Sequence, residues 1–124
     1  MRTGKITLAG REYLLTFSTR VLRDVMEHYG SMEAMYASLT DKADANMLST
    51  SVWMLARMID AGARYAQKNG IPNPEPLTED DIYDITDIND FAGLRTAISE
   101  TISSSTATTV AVEPGKNAEA TQGQ

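Results

Sequence analysis

The sequence of 124 residues contains no cysteine and a single histidine, His28. Without cysteine the chain has no disulfides, no thiolate metal ligands and no cysteine nucleophile. Asp24 and His28, four residues apart, supply two ligands where a structural metal site needs four. Ser103-Ser104-Ser105 and the other hydroxyl residues have no plausible base for nucleophilic catalysis beside them in sequence, and glycine-rich phosphate-binding motifs are missing. These absences predict a protein that is not an enzyme and that has no metal or other cofactor.

The chain also lacks a long hydrophobic run and a basic stripe. No stretch approaches the ~18 apolar residues of a membrane span, and the charged start is not followed by the apolar stretch of a signal peptide. We therefore expect a cytoplasmic protein that binds no membrane. The formal net charge is −6, and its basic residues form no cluster like those of nucleic-acid-binding proteins, so nucleic acid is not an expected partner.

The negative charge is concentrated in one short segment. Between Thr78 and Asp90 lie six acidic residues and no basic residue: Glu79, Asp80, Asp81, Asp84, Asp87 and Asp90. A calcium loop of the EF-hand type needs alternating oxygen ligands, a central glycine and a terminal glutamate, and this segment has no glycine. Acidic side chains at helix starts are favoured by the helix dipole. We therefore interpret Thr78 with Asp81 as a capping box and Asp87 as the cap of the last helix.

The hydrophobic pattern predicts a mainly α-helical fold that begins with a short β-hairpin. Residues 5–8 and 13–17 are the predicted strands, and Ala9-Gly10 lies between them. Alanine is a weaker turn former than asparagine or aspartate, so the sequence leaves the turn type open. Two short helices follow, capped by Ser18 and Ser31.

The longest predicted helix runs from about Asp44 to Asn69 and carries two apolar stripes. The first stripe consists of Leu48, Val52, Leu55, Ile59, Ala63 and Ala66. The second consists of Met47, Met54, Met58 and Tyr65, with Trp53 near its edge. A helix that is apolar on two faces is buried between neighbours or offers one face to a partner. Methionine adapts to varied apolar surfaces, so the candidate partner-binding residues are Met47, Trp53, Met54, Met58 and Tyr65.

After a proline-rich linker, the pattern predicts a short helix and a last helix, for about four to five helices in all. The buried stripe of the last helix consists of Phe91, Leu94, Ile98 and Ile102. Beyond Ser103 the sequence has few large apolar residues and cannot bury enough surface to offset the entropy of ordering. We therefore expect a helical domain with an N-terminal hairpin over residues 1–103 and a disordered polar tail over 104–124.

The order of these parts resembles the tail assembly chaperones of long-tailed bacteriophages and prophages, in their short form made without frameshifting. Three segments carry the resemblance: the hairpin Lys5-Ile6-Thr7-Leu8-Ala9-Gly10-Arg11-Glu12-Tyr13, the helix end His28-Tyr29-Gly30-Ser31-Met32-Glu33, and Pro76-Leu77-Thr78-Glu79-Asp80-Asp81-Ile82. It covers most of residues 5–104.

The resemblance implies a non-enzymatic late protein of virion morphogenesis, which binds the tape-measure protein and keeps it soluble during viral tail assembly. It implies action in the host bacterial cytoplasm and absence from the mature virion. Many members also exist in a longer form, made by programmed −1 ribosomal frameshifting, whose extra domain recruits the tail tube protein. Codons for residues 114–117 are compatible with a slippery heptamer.

Two expectations complete this interpretation. We expect the chain to associate with itself along its client. The alternative function is that of a minor structural virion protein, such as a head–tail connector or a minor tail component.

Overall fold

A two-stranded hairpin and five α-helices make up the computed structural model, which describes residues 2–41 and 44–106. The elements in chain order are β1 (Thr3–Leu8), β2 (Arg11–Thr16), α1 (Thr19–Tyr29), α2 (Met32–Leu39), α3 (Asp44–Lys68), α4 (Glu79–Ile85), a 3₁₀ turn (Ile88–Asp90) and α5 (Phe91–Thr106). The mainly helical fold with an N-terminal hairpin that the sequence predicts is confirmed.

The hairpin closes through a two-residue turn in which both residues are left-handed. Ala9 has φ 49° and Gly10 has φ 77°, and positive φ at both central positions defines a type I′ turn, whose twist matches that of the flanking strands. This settles the turn type that the sequence leaves open. The strands pair antiparallel with Ile6 opposite Tyr13, and both side chains are buried against the helices.

Serine caps begin the first two helices, as the sequence predicts. The Ser18 hydroxyl accepts a hydrogen bond from the backbone N–H of Val21 (3.4 Å), and the Ser31 hydroxyl accepts one from Ala34 (3.0 Å). Such bonds satisfy one of the amides that have no partner in the first turn of a helix. Gly30 ends α1, and the sharp break there lets α2 fold back toward α3.

Helix α3 lies at the centre of the fold and buries both of its apolar stripes. Leu55 and Ile59 from the first stripe and Met54 and Met58 from the second are fully buried. The helix packs on β2 and is flanked by α1, α2, α4 and α5. Of the two interpretations that the sequence leaves open, burial between neighbours is therefore the correct one.

Helix α3 and β2 approach closely at Gly62. A Cβ atom at this position would overlap the backbone carbonyl oxygen of Leu14. The linker between α3 and α4 holds the same residue of β2, because the Leu14 N–H donates to the Asn73 side-chain oxygen (3.0 Å).

The acidic segment contains two capping boxes. The Thr78 hydroxyl accepts from the Asp81 N–H (3.1 Å) and the Asp81 carboxylate accepts from the Thr78 N–H (3.0 Å). Asp87 and Asp90 make the same reciprocal arrangement, and Asp87 caps the 3₁₀ turn that leads into α5. The capping box at Thr78 is confirmed, and the cap at Asp87 acts on the turn before the last helix.

Helix α5 extends to Thr106, beyond the domain boundary at residue 103 that the sequence predicts. Residues 107–124, which hold most of the predicted tail, lie outside the described residues. Within the described ranges, none of the helices is long and apolar enough to cross a membrane.

Candidate partner-binding surface

Four of the five candidate partner-binding residues belong to the core. Met54 and Met58 are 0% exposed, Met47 is 7% exposed and Trp53 is 9% exposed. The prediction that Met47, Trp53, Met54 and Met58 form an open face is wrong for the folded chain, because elements on every side of α3 cover them. Tyr65, the fifth residue, is half-buried and borders a separate cavity near the end of α3.

Trp53 lies in an aromatic cluster between α1 and α3. The His28 ring stacks on it with centroids 4.6 Å apart and an interplanar angle of 18°, and Tyr29 meets it edge to face at 5.4 Å. The Arg57 guanidinium lies 4.8 Å from the centroid of the indole ring. Each such aromatic or cation–π contact adds about 0.5–1.5 kcal/mol to the burial of the ring itself, so the cluster fixes the end of α1 on α3.

An open cleft of about 380 Å³ borders this cluster. Its lining residues are Asp24, Glu27, His28, Trp53 and Arg57. The cleft therefore presents an aromatic wall with charged side chains of both signs, a composition suited to a side chain of a protein partner. In the described part of the chain, no group of three or more His, Asp or Glu residues is arranged to hold a metal ion.

Helix α4 lies beside the same cluster. The Arg57 guanidinium is 3.6 Å from the Glu79 carboxylate, an ion pair that joins α3 to the start of α4. Burial raises the pKa of the Tyr83 phenol above its usual 10.0, and the nearby charges of Glu79 and Asp80 and of Tyr29 raise the pKa further.

Large apolar side chains are exposed on this helix and on the 3₁₀ turn that follows it. Tyr83 is 45% exposed, Ile85 is 41% exposed and Ile88 is 61% exposed; we call these three residues the α4 surface. Acidic residues alternate with them along the chain, including Asp84 and Asp87, which are exposed. Residues i and i+2 of a helix do not face each other, so Tyr83 and Ile85 offer separate apolar contacts, each with acidic residues beside it in the sequence. Such contacts suit an apolar segment flanked by lysine or arginine.

Ile82 and Ile85 lie in the same short helix, and of the two only Ile82 is buried, at 0% exposure. Helix α4 (Glu79–Ile85) is only about two turns long, and Ile82 is its one buried residue. Periodicity alone does not make that distinction.

No known family model matches the chain, and no curated protein or solved structure matches it either.

Proposed function

We propose that this protein is a tail assembly chaperone of a long-tailed bacteriophage or prophage, which binds the tape-measure protein and keeps it soluble before the tail tube forms around it. The observation that carries the proposal is the exposure of three large apolar side chains, Tyr83, Ile85 and Ile88, within a short acidic stretch of the chain. The order of hairpin, helices and acidic segment, which resembles that of the chaperone family, supports it.

The α4 surface replaces the buried methionines as the proposed client-binding site. Burying a large apolar side chain completely is worth about 1.5–3 kcal/mol, and Tyr83, Ile85 and Ile88 are already about half buried. Their contacts alone do not offset the cost of association, so the client must also bury surface around them. The acidic residues around them favour client segments with basic flanks, and they oppose pairing with other acidic surfaces. Reversibility is needed because tube subunits must displace the chaperone.

The test is co-expression with the tape-measure protein encoded in the same genome, with the soluble fraction of that protein as the readout. We expect the wild-type chain to keep it soluble and to co-purify with it. The double variant Ile85→Gln/Ile88→Gln removes apolar contact area without adding charge, and we expect it to lose most of this effect.

Ile71→Gln is the matched control, because Ile71 is 42% exposed, as Ile85 is, but lies in the linker after α3. It should retain wild-type activity. Equal activity of the double variant and the control would contradict the proposed site, and a tape-measure protein that stays insoluble with the wild-type chain would contradict the proposed function. Stoichiometric presence of the chain in purified virions would instead favour a minor structural component.

A further inference from the structure

A second cavity lies on another part of the molecule, where the β2–α1 junction meets the C-terminal end of α3. It measures about 320 Å³, within the range of small-molecule sites. Its lining residues are Thr16, Ser18, Thr19, Arg20, Ala61, Arg64, Tyr65 and Lys68. Three of these are cationic, three carry an aliphatic hydroxyl, and none of the described residues that line the cavity is acidic.

The wall of this cavity contains a buried hydroxyl without a partner. Thr16 is 0% exposed, and its side-chain oxygen makes no hydrogen bond to any described residue. Leaving a buried hydroxyl unpaired is unfavourable, because the group has given up its hydrogen bonds to water. This oxygen has almost no accessible surface, so a ligand in the cavity accepts a hydrogen bond from it only when the lining side chains shift, and that bond would recover this cost.

The start of α1 lies at the same cavity. Ser18 caps the amide of Val21, whereas the amides of Thr19 and Arg20 make no hydrogen bond within the described ranges. The first turn of α1 contains no acidic residue, so nothing there neutralises the positive end of the helix dipole. Amides at a helix start, next to cationic side chains, are suited to bind an anion.

The cationic side chains of the cavity are incompletely neutralised. Arg64 pairs with Asp60 at 2.9 Å, but Arg20 and Lys68 form no ion pair with any described residue. Two unpaired cations in a chain with a net charge of −6 form a local positive site. Two cations, two amides and a buried hydroxyl supply more donors than one carboxylate accepts, and they match the oxygens and double charge of a phosphate.

We propose that this cavity binds a phosphate group, either free phosphate or the phosphate of a small phosphorylated molecule. Arg20 and Lys68 supply charge, the first amides of α1 supply directed donors, and Thr16 donates from the buried wall. Ala61 and the Tyr65 ring offer apolar area beside the charged residues for the organic part of such a ligand.

The test is titration of the full chain with inorganic phosphate at constant ionic strength and pH, followed by two-dimensional ¹⁵N–¹H NMR. We expect saturable shifts centred on residues 16–20 and 61–68. Phenyl phosphate and acetate are titrated in parallel. Tighter binding of phenyl phosphate identifies a phosphorylated organic molecule as the ligand, whereas equal or weaker binding identifies free phosphate.

Two variants test the assignment of donors. Thr16→Val keeps the shape of the side chain and removes the unpaired hydroxyl, so the fold should be at least as stable while phosphate binds about tenfold more weakly. Lys68→Gln should weaken binding about two- to fivefold. Arg11→Gln is its matched control, because it removes the same charge from the turn end of β2, five residues or about 17 Å from Thr16, and should leave the affinity unchanged.

The proposal is overturned if phosphate produces no saturable shifts, if the shifts are centred elsewhere, or if acetate binds as tightly as phosphate. It is also overturned if Thr16→Val binds phosphate with wild-type affinity, because the buried hydroxyl would then have no part in the site. None of these results bears on the α4 surface, so the chaperone proposal stands or fails separately.

Discussion

The close approach of α3 to β2 at Gly62 yields a prediction whose sign opposes ordinary helix propensity. In a helix, alanine is favoured over glycine by about 1 kcal/mol. At Gly62, however, an added Cβ would overlap the carbonyl oxygen of Leu14 and lie 2.5 Å from its carbonyl carbon. Both atoms belong to the backbone of β2, so no side-chain rotation relieves the clash, and the helix must move away from the hairpin.

The size of the effect follows from these two opposing terms. Overpacking of a well-packed core costs about 1–3 kcal/mol, and the rigid backbone neighbour places this site at the upper end. Subtracting the gain in helix propensity leaves a net loss of about 1–2 kcal/mol in the free energy of unfolding. For a domain of about 100 residues this lowers the Tm by roughly 5–15 °C.

Gly93→Ala is the matched control, since Gly93 also lies in a helix but a Cβ there meets no atom within 4 Å. It should raise the free energy of unfolding by about 0.5–1 kcal/mol. Urea denaturation followed by far-UV circular dichroism measures both variants. A Gly62→Ala chain that is as stable as Gly93→Ala would refute the close packing of α3 on β2.

Three further predictions concern single side chains. Ala9→Asn should stabilise the chain by about 1 kcal/mol in denaturant unfolding, because asparagine tolerates the left-handed backbone of the I′ turn better than alanine; a loss would contradict the turn geometry. Thr78→Ala should destabilise it by about 1 kcal/mol through loss of the cap, and an unchanged midpoint would contradict the capping box. Burial raises the pKa of the Tyr36 phenol above its usual 10.0, so its contribution to stability is present below about pH 10 and is lost as the pH rises through the folded-state pKa. Tyr36→Phe should therefore lose less stability than wild type in unfolding measured above about pH 10, and an equal loss would exclude Tyr36 as the cause.

The helices were predictable from the sequence because their ends depend on local chemistry. Ser18, Ser31 and Thr78 each bond to an amide three residues later, and such a bond needs no information about the rest of the fold. The hairpin turn was only partly predictable. Alanine does not favour the left-handed region, so the turn at Ala9 is imposed by the pairing of the strands and by their packing against the helices.

The candidate site was less predictable, because exposure is a property of the whole fold. Met54 and Met58 lie on a stripe separate from Leu55 and Ile59, and the sequence does not show how many neighbours surround α3. In the fold, β2 and four helices surround it, so both stripes become core. Ile85 and Ile88 look like core residues in the sequence, yet they remain exposed because Ile82 alone anchors α4. The sequence pattern does not mark Thr16 as a candidate site residue, because only the folded chain shows that its hydroxyl is buried and unpaired.

The two proposed sites lie near opposite ends of helix α3, so we expect binding at one site to leave binding at the other unchanged. Arg57, which joins α3 to α4, and Lys68, which lines the phosphate cavity, are about 16 Å apart along the helix axis at 1.5 Å per residue. Between them α3 is fixed on β2 at Gly62, so the segment that links the sites is a packed part of the core. Charges about 16 Å apart at the surface are largely screened at physiological ionic strength, where the Debye length is about 8 Å. Lys68→Gln should therefore leave client binding at the α4 surface unchanged, and Ile85→Gln/Ile88→Gln should leave phosphate affinity unchanged. Coupling between the two measurements would show that α3 moves as binding occurs, which the packing at Gly62 opposes.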